Sequence, residues 1–289
     1  KMGISIFCCT CCGNVICISV DIMKRIYDRK NQKFYQEQQF GEGVLHFLYE
    51  SFLGRILLKI AVNPWFSKFF AIYYDSSFSQ RKIVPFVQKY HICMEEYEES
   101  SYRSFNDFFI RKKKKEYLDM KHDEGSLISP ADSKLSVYFV TSDVKLSIKG
   151  HSYTLGELLR DEELSQFFRN GICLVFRLGV QDYHRYCHVA SGKIVKEKKI
   201  KGCLHTVSSV SKNHKIFVEN KREYQVVQTE TMGMFVQMEI GALLVGEIVN
   251  RKKADVVQGE EKGYFSFGGS TVVILIPEKR VRLEDDILR

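Results

Sequence analysis

The tetrapeptide Gly268-Gly269-Ser270-Thr271 lies between the aromatic approach Gly263-Tyr264-Phe265-Ser266-Phe267 and the apolar run Val272 to Ile276. A glycine ahead of a serine leaves the Gly269 carbonyl unshielded, so a bent peptide bond there is open to attack by the Ser270 hydroxyl in an acyl shift from nitrogen to oxygen. Elimination from the ester cuts the backbone between Gly269 and Ser270 and leaves Ser270 as dehydroalanine, which hydrolyses to a pyruvoyl group. The same tetrapeptide ahead of a β-branched run also reads as a tight turn feeding a strand.

Other segments resemble, in the same order along the chain, those of the phosphatidylserine decarboxylase family. Ser129-Pro130-Ala131-Asp132 is similar to its Pro-x-Asp segment, Asp182-Tyr183-His184-Arg185-Tyr186 to Asp-Tyr-His-Arg, and Phe217-Val218-Glu219-Asn220-Lys221-Arg222 to Phe-x-x-Asn-x-Arg. Gly241-Ala242-Leu243-Leu244-Val245-Gly246 and the Phe267 to Thr271 site complete the series, and the likeness runs from about Ile26 to the C-terminus.

The resemblance implies a zymogen that cuts itself into a β chain (1–269) and an α chain (270–289), which remain together as a heterodimer. The covalent cofactor would be a pyruvoyl group derived from Ser270. The implied reaction converts phosphatidylserine to phosphatidylethanolamine and CO2. Decarboxylating an α-amino acid leaves electrons on the α-carbon, and a pyruvoyl carbonyl in Schiff-base linkage with the substrate amine takes them up, as pyridoxal phosphate does elsewhere. A pyruvoyl decarboxylase of a related lipid such as archaetidylserine, or of a soluble amino acid, is an alternative, as is an uncleaved, inactive membrane-binding relative. The family continues past Leu283-Glu284-Asp285-Asp286-Ile287-Leu288 through another glycine-containing segment; lack of a final strand there could leave a sheet edge unpaired, which favours the alternative of an inactive relative.

Self-cleavage asks for a base beside Ser270 and a carboxylate that orients it, as in a serine-protease triad. By the resemblance Asp132 is that carboxylate, although the glycine that follows it in the family is Ser133 here. Without the resemblance Asp132 reads as a turn cap after Pro130. The family pattern His-Arg-x-His places its second histidine where this chain has Cys187, so the base is His188, one residue on, or His184. His188 is taken as base and His184 as an active-site residue, with the reverse left open; on an extended strand both point to one side. Arg185 and Arg222 are candidates for the lipid phosphate or substrate carboxylate, and equally for structural ion pairs. His205 and Asn220 are candidates for the pocket lining.

The elements that must position these groups divide the chain. From Val44 to Tyr74 apolar residues recur at near-helical spacing, which predicts two helices broken near Asn63-Pro64. Trp65, Phe66, Phe69, Phe70, Tyr73 and Tyr74 bring aromatic mass next to positive charge, a composition that suits a headgroup boundary or an internal core. A third helix is expected from Pro85 to Met94, and Ser104-Phe105-Asn106-Asp107 reads as a capped helix start. Beyond Lys121 short apolar runs predict strands at Leu135 to Val140, Ile172 to Leu178, Tyr224 to Gln228, Met234 to Ile240 and Thr271 to Ile276, with one helix from Thr154 to Phe168. The expected architecture is α+β: a Cys-rich apolar extension (1–25), a helical membrane-associating portion (26–118) and an antiparallel β-rich catalytic domain (119–289).

The formal net charge of +8 is partly concentrated in Arg111-Lys112-Lys113-Lys114-Lys115, a run suited to an anionic membrane. Its aromatics are not interleaved with the basic residues, which argues against nucleic acid. With a phosphatidylserine substrate this places the protein at the cytoplasmic face of the cell membrane as a peripheral protein, with homo-oligomerisation left open. Nine cysteines, an odd number, fit a reducing compartment, and their spacings make no tetrahedral zinc site, so no metal is expected. Met2 to Val20 is uncharged and nearly long enough to span a bilayer, yet rich in Cys, Ser and Thr.

Overall fold

The computed structural model describes residues 6–7, 15–16, 25–28, 32–36, 42–98, 101–118, 125–148, 151–206, 215–243, 247–266, 270–284 and 287. Helices gather in the N-terminal part: α1 (Glu42–Glu50), α2 (Phe52–Ala61), α3 (Pro64–Asp75), α4 (Ile83–Tyr90) and α5 (Phe105–Phe109). The break at Asn63-Pro64 is present, with the Asn63 side chain accepting from Trp65 N and proline opening α3. A second break falls at Ser51, whose Oγ accepts from Gly54 N and starts α2 afresh. The third expected helix ends at Tyr90, short of Met94, because His91 turns left-handed at φ 50°. Ser104 caps α5 as read from sequence, accepting from Asp107 N at 3.1 Å.

Among the described residues the first helix begins at Glu42. Arg25–Asp28 and Lys33–Gln36 form an antiparallel hairpin at one edge of the main sheet. Within residues 1–25, Ile6–Phe7 and Val15–Ile16 are short strands, and among the described residues no helix is long and apolar enough to cross a membrane.

The rest is built on strands β1 (Lys134–Phe139), β2 (Ile172–Leu178), β3 (Arg185–Cys187), β4 (Gly192–Ile200), β5 (Arg222–Thr229), β6 (Gly233–Gly241), β7 (Ile248–Asn250), β8 (Asp255–Val256), β9 (Glu261–Phe265) and β10 (Ser270–Ile276). The main sheet runs β8-β4-β5-β6-β10-β2-β1 and continues through Val15–Ile16 and the hairpin; among the described residues its one parallel pairing is that of Val15–Ile16 with β1. β3, β9 and β7 make a second, antiparallel sheet. Every residue of β10 is buried, which is why its apolar run does not alternate: it lies inside the sheet between β6 and β2. Gly233, at φ 76°, turns β5 into β6.

Each strand read from sequence is present, but β4 is an addition, since its alternating Lys and Glu residues carry no apolar signal. The single helix expected from Thr154 to Phe168 is two, α6 (Leu155–Leu159) and α7 (Glu162–Phe167). Arg160 takes a left-handed conformation at φ 47°, and the Asp161 side chain accepts from Leu164 N to cap a new helix. A short helix α8 (Ile216–Glu219) precedes β5. The result is a mixed fold, helices first and a large, mainly antiparallel sheet after.

Candidate active site

Ser270 is the first residue of β10, opposite Leu178 of β2 and Gly241 of β6. It is fully buried, and its Oγ has no hydrogen-bond partner among the described residues. A buried hydroxyl without a partner costs about 1–3 kcal/mol, which makes it a candidate for a reactive group and not a structural one. Gly268 and Gly269, on the other side of the expected cut, lie outside the described residues.

Both histidines are buried and flank the short strand β3, one at each end. β3 pairs Tyr186 with Gly263 and Cys187 with Glu261, so the extra residue of this bulge, Lys262, belongs to β9. His184 lies at the end of β3 where its carbonyl accepts from Phe265 N, five residues before Ser270 along the chain. Its Nδ1 donates to the Asp182 carbonyl at 2.8 Å, which puts the basic lone pair on Nε2, and its ring packs 4.1 Å from that of Phe109. His188 is at the opposite end, bound through its backbone to Glu260 and Gly259. Burial, with Lys262 nearby, lowers its pKa to about 4, so its imidazole is neutral across the physiological range. Cys187, at the family's histidine position, is buried with a thiol pushed up to about 12, which leaves it protonated and a poor base.

Asp132 lines a cleft of about 130 Å³ with Lys113, Tyr183, Arg185, Cys187 and Glu261. Cys187 N donates to the Pro130 carbonyl at 2.8 Å, which docks the Ser129 to Asp132 turn against β3. The partner of the Asp132 carboxylate is neither histidine but Lys113, whose Nζ stands 2.8 Å from Oδ2. Burial raises the Asp132 pKa, and Lys113 pulls it back. Sequence reading missed Lys113 by assigning the whole basic run to an anionic membrane surface. Tyr97 bridges to Lys113, and this extended segment turns Arg111 and Lys113 inward while Lys112 points out. Arg111 is stacked 4.3 Å from the Tyr97 ring centre.

The remaining candidates have structural partners. Arg185 forks to Glu261 at 2.9 Å and donates to the Ile110 carbonyl. Arg222, fully buried, donates to the carbonyls of Glu157, Leu158, Val218 and Asn220. Asn220 Nδ2 donates to the carbonyls of His205 and Gly241, and its Oδ1 accepts from His205 N, so it holds the strand position opposite Ser270. His205 Nδ1 meets the Tyr49 hydroxyl of α1 at 3.2 Å. Among the described residues no group of His, Cys, Asp and Glu is arranged to hold a metal.

A model of the family described as phosphatidylserine decarboxylase matches residues 105–288. Phosphatidylserine decarboxylase proenzyme 2 of Clostridium acetobutylicum is 48% identical over 265 residues, 91% of each chain. Proenzymes of the same name from Clostridium botulinum (strain Langeland) and Clostridium tetani are 38% and 37% identical, over 92% of this chain and 93% and 92% of theirs. The class these matches define is that of the carboxy-lyases. The chain belongs to the phosphatidylserine decarboxylase family.

Proposed function

We propose that this chain is a proenzyme that cuts itself between Gly269 and Ser270 and then converts phosphatidylserine to phosphatidylethanolamine and CO2. The observation that carries this reading is the buried Ser270 Oγ, without a hydrogen-bond partner among the described residues, at the head of the central strand in a chain 48% identical to a phosphatidylserine decarboxylase proenzyme.

In the cut, Ser270 Oγ bonds to the Gly269 carbonyl carbon as the amide C–N bond breaks, and the hydroxyl proton ends on the Ser270 nitrogen. Loss of the Ser270 Cα proton then expels the Gly269 carboxylate, and water replaces the resulting enamine nitrogen, releasing ammonia and leaving the pyruvoyl end. His184 is the favoured base, because its Nε2 carries the lone pair and its carbonyl holds the strand end that leads toward Ser270. Asp132, as a carboxylate, stabilises positive charge that develops in the site. A pyruvoyl group supplies an electron sink conjugated to the amine of the substrate. Burial of Ser270 between β6 and β2 shields the reacting atoms from bulk water.

Access to a lipid is assigned to α2 and α3, which leave large apolar side chains in solvent: Phe52 at 73% exposed, Leu53 at 65%, Trp65 at 71%, Phe69 at 63% and Ile72 at 70%. These exposed apolar side chains, on helices that also carry Arg55, Lys59 and Lys68, suit the boundary of an anionic bilayer, here the cytoplasmic face of the cell membrane. Of the basic run, Lys112, Lys114 and Lys115 remain to add attraction.

Intact mass of the purified protein tests the reading. Two chains are expected, the smaller running from Ser270 to Arg289 with a pyruvoyl end, and Ser270→Ala should stay single. A small chain with an ordinary serine amine, or equal activity on free serine and on phosphatidylserine vesicles, would overturn it.

A further inference from the structure

Lys113 stands in a run of five cations whose composition suits an anionic surface, yet its side chain is 1% exposed. The strap that carries it is an antiparallel pair: Glu98 N donates to the Lys112 carbonyl at 2.8 Å and Lys114 N to the Glu96 carbonyl at 2.9 Å. Extended backbone sends alternate residues to opposite sides, so Lys113 enters the Asp132 cleft while its neighbours face out. Its Nζ lies 2.8 Å from Asp132 Oδ2 and 3.6 Å from Glu96 Oε2, with the Tyr183 ring 5.5 Å away. A buried ion pair of this kind is seldom worth more to stability than well-packed apolar side chains of similar size. Its position beside the family's aspartate gives it another use.

We propose that Lys113 is a positioning residue for self-cleavage, whose ammonium holds Asp132 at the cleft wall as a carboxylate. The inference rests on the role given to Asp132 above. Burial pushes the Asp132 carboxyl up, Lys113 pulls it down, Glu96 pushes it up and Arg111 pulls it down, with the net direction upward, so Lys113 offsets burial only in part. The other titratable groups facing the pair stay out of the way: Tyr183 and Cys187 are both pushed to about 12, and Arg185 across the cleft is neutralised by Glu261. Removing the ammonium would leave a buried carboxyl that is protonated at higher pH. Removing Glu96 has the opposite sign.

The test follows cleavage of proenzyme made by cell-free synthesis, pulse-labelled and chased between about pH 5 and pH 9. An opposite charge at this range moves a carboxyl by about 1–3 pH units, so Lys113→Met should shift the acid limb of the cleavage rate upward by at least about one unit. Lys113→Arg should restore the wild-type limb, and Glu96→Gln should move it downward. A Lys113→Met limb at the wild-type pH, or a rate lowered equally at every pH, overturns the inference. If Lys113→Met yields no soluble chain, the direction of the Glu96→Gln shift decides. Asp132→Asn separates the two levels: processing at the wild-type rate removes the role of Asp132 and this inference with it. A blocked Asp132→Asn beside an unshifted Lys113→Met removes the inference alone.

Discussion

Arg222→Met distinguishes a residue that holds the fold from one that holds a lipid. The guanidinium is fully buried and donates to four carbonyls at 2.8–2.9 Å, two in the last turn of α6, one in α8 and one just after it. It thus closes the C-terminal ends of two short helices whose last carbonyls have no partners within the helix. Methionine keeps much of the volume but donates nothing. Hydrogen bonds to a charged group contribute about 1.5–3 kcal/mol each, they are not additive, and breaking a buried charged set costs about 3–5 kcal/mol in all. Against a typical total stability of about 5–15 kcal/mol this is a large fraction. Urea unfolding of Arg222→Met in the uncleaved Ser270→Ala background should show a lower midpoint at unchanged slope, and Tm should drop by roughly 10 °C. Where the processed variant remains folded, KM for the lipid should be unchanged. A midpoint equal to that of the parent, with KM raised, would refute the structural assignment and return Arg222 to the phosphate.

His184→Ala should slow self-cleavage by roughly 100-fold or more, as loss of a general base does, whereas His188→Ala should process within a fewfold of wild type; the pulse-labelled cleavage rate reads both, and the reverse pattern makes His188 the base. His188 has a folded pKa of about 4, below its unfolded value, so its contribution to stability is present above about pH 6.5 and is lost as pH falls through 4. That loss is worth at most about 3 kcal/mol, and His188→Gln should flatten the corresponding slope of stability against pH. Trp65→Ser with Phe69→Ser should weaken sedimentation with phosphatidylserine vesicles by roughly tenfold to a hundredfold, if each half-inserted ring contributes about 1 kcal/mol or more, and leave self-cleavage unaffected. Neutralising Lys112, Lys114 and Lys115 should remove much of the salt sensitivity of that binding, and equal binding to neutral and anionic vesicles at low salt would dismiss the electrostatic part.

Pattern made the central strands legible: Ile172–Leu178 and Ser270–Ile276 are apolar runs because they are buried on both faces. Capping chemistry gave the starts of α3 and α5, where Asn63 and Ser104 do what their side chains favour. The two histidines were legible as residues, but the irregular register after Tyr186, with its extra residue in β9, depends on a distant strand that no local pattern records. The basic run failed for a similar reason. Inward-facing Arg111 and Lys113 are balanced by the Tyr97 ring, Glu96 and Asp132, partners from 14 to 19 positions away in the chain, and read without them all five cations suit an anionic surface.

The helices that carry the exposed apolar face also reach the strand position opposite the proposed reactive serine. Leu204 N donates to the carbonyl of Val62, just past α2, and the Tyr49 hydroxyl of α1 accepts from Thr206 N while meeting His205 Nδ1. Burial raises the Tyr49 pKa to about 12, so it is a protonated phenol and the donor to that ring nitrogen. His205 is in turn tied through its backbone to Asn220, and Asn220 to the carbonyl of Gly241, the residue paired with Ser270. Each link is a hydrogen bond between buried or partly buried groups, so moving α1 breaks bonds in the segment beside Ser270. His205 and Asn220 therefore need not touch substrate to matter. They connect the surface that would meet a bilayer to the strand pair that presents Ser270, which is the geometry required of an enzyme whose substrate keeps its acyl chains in the membrane.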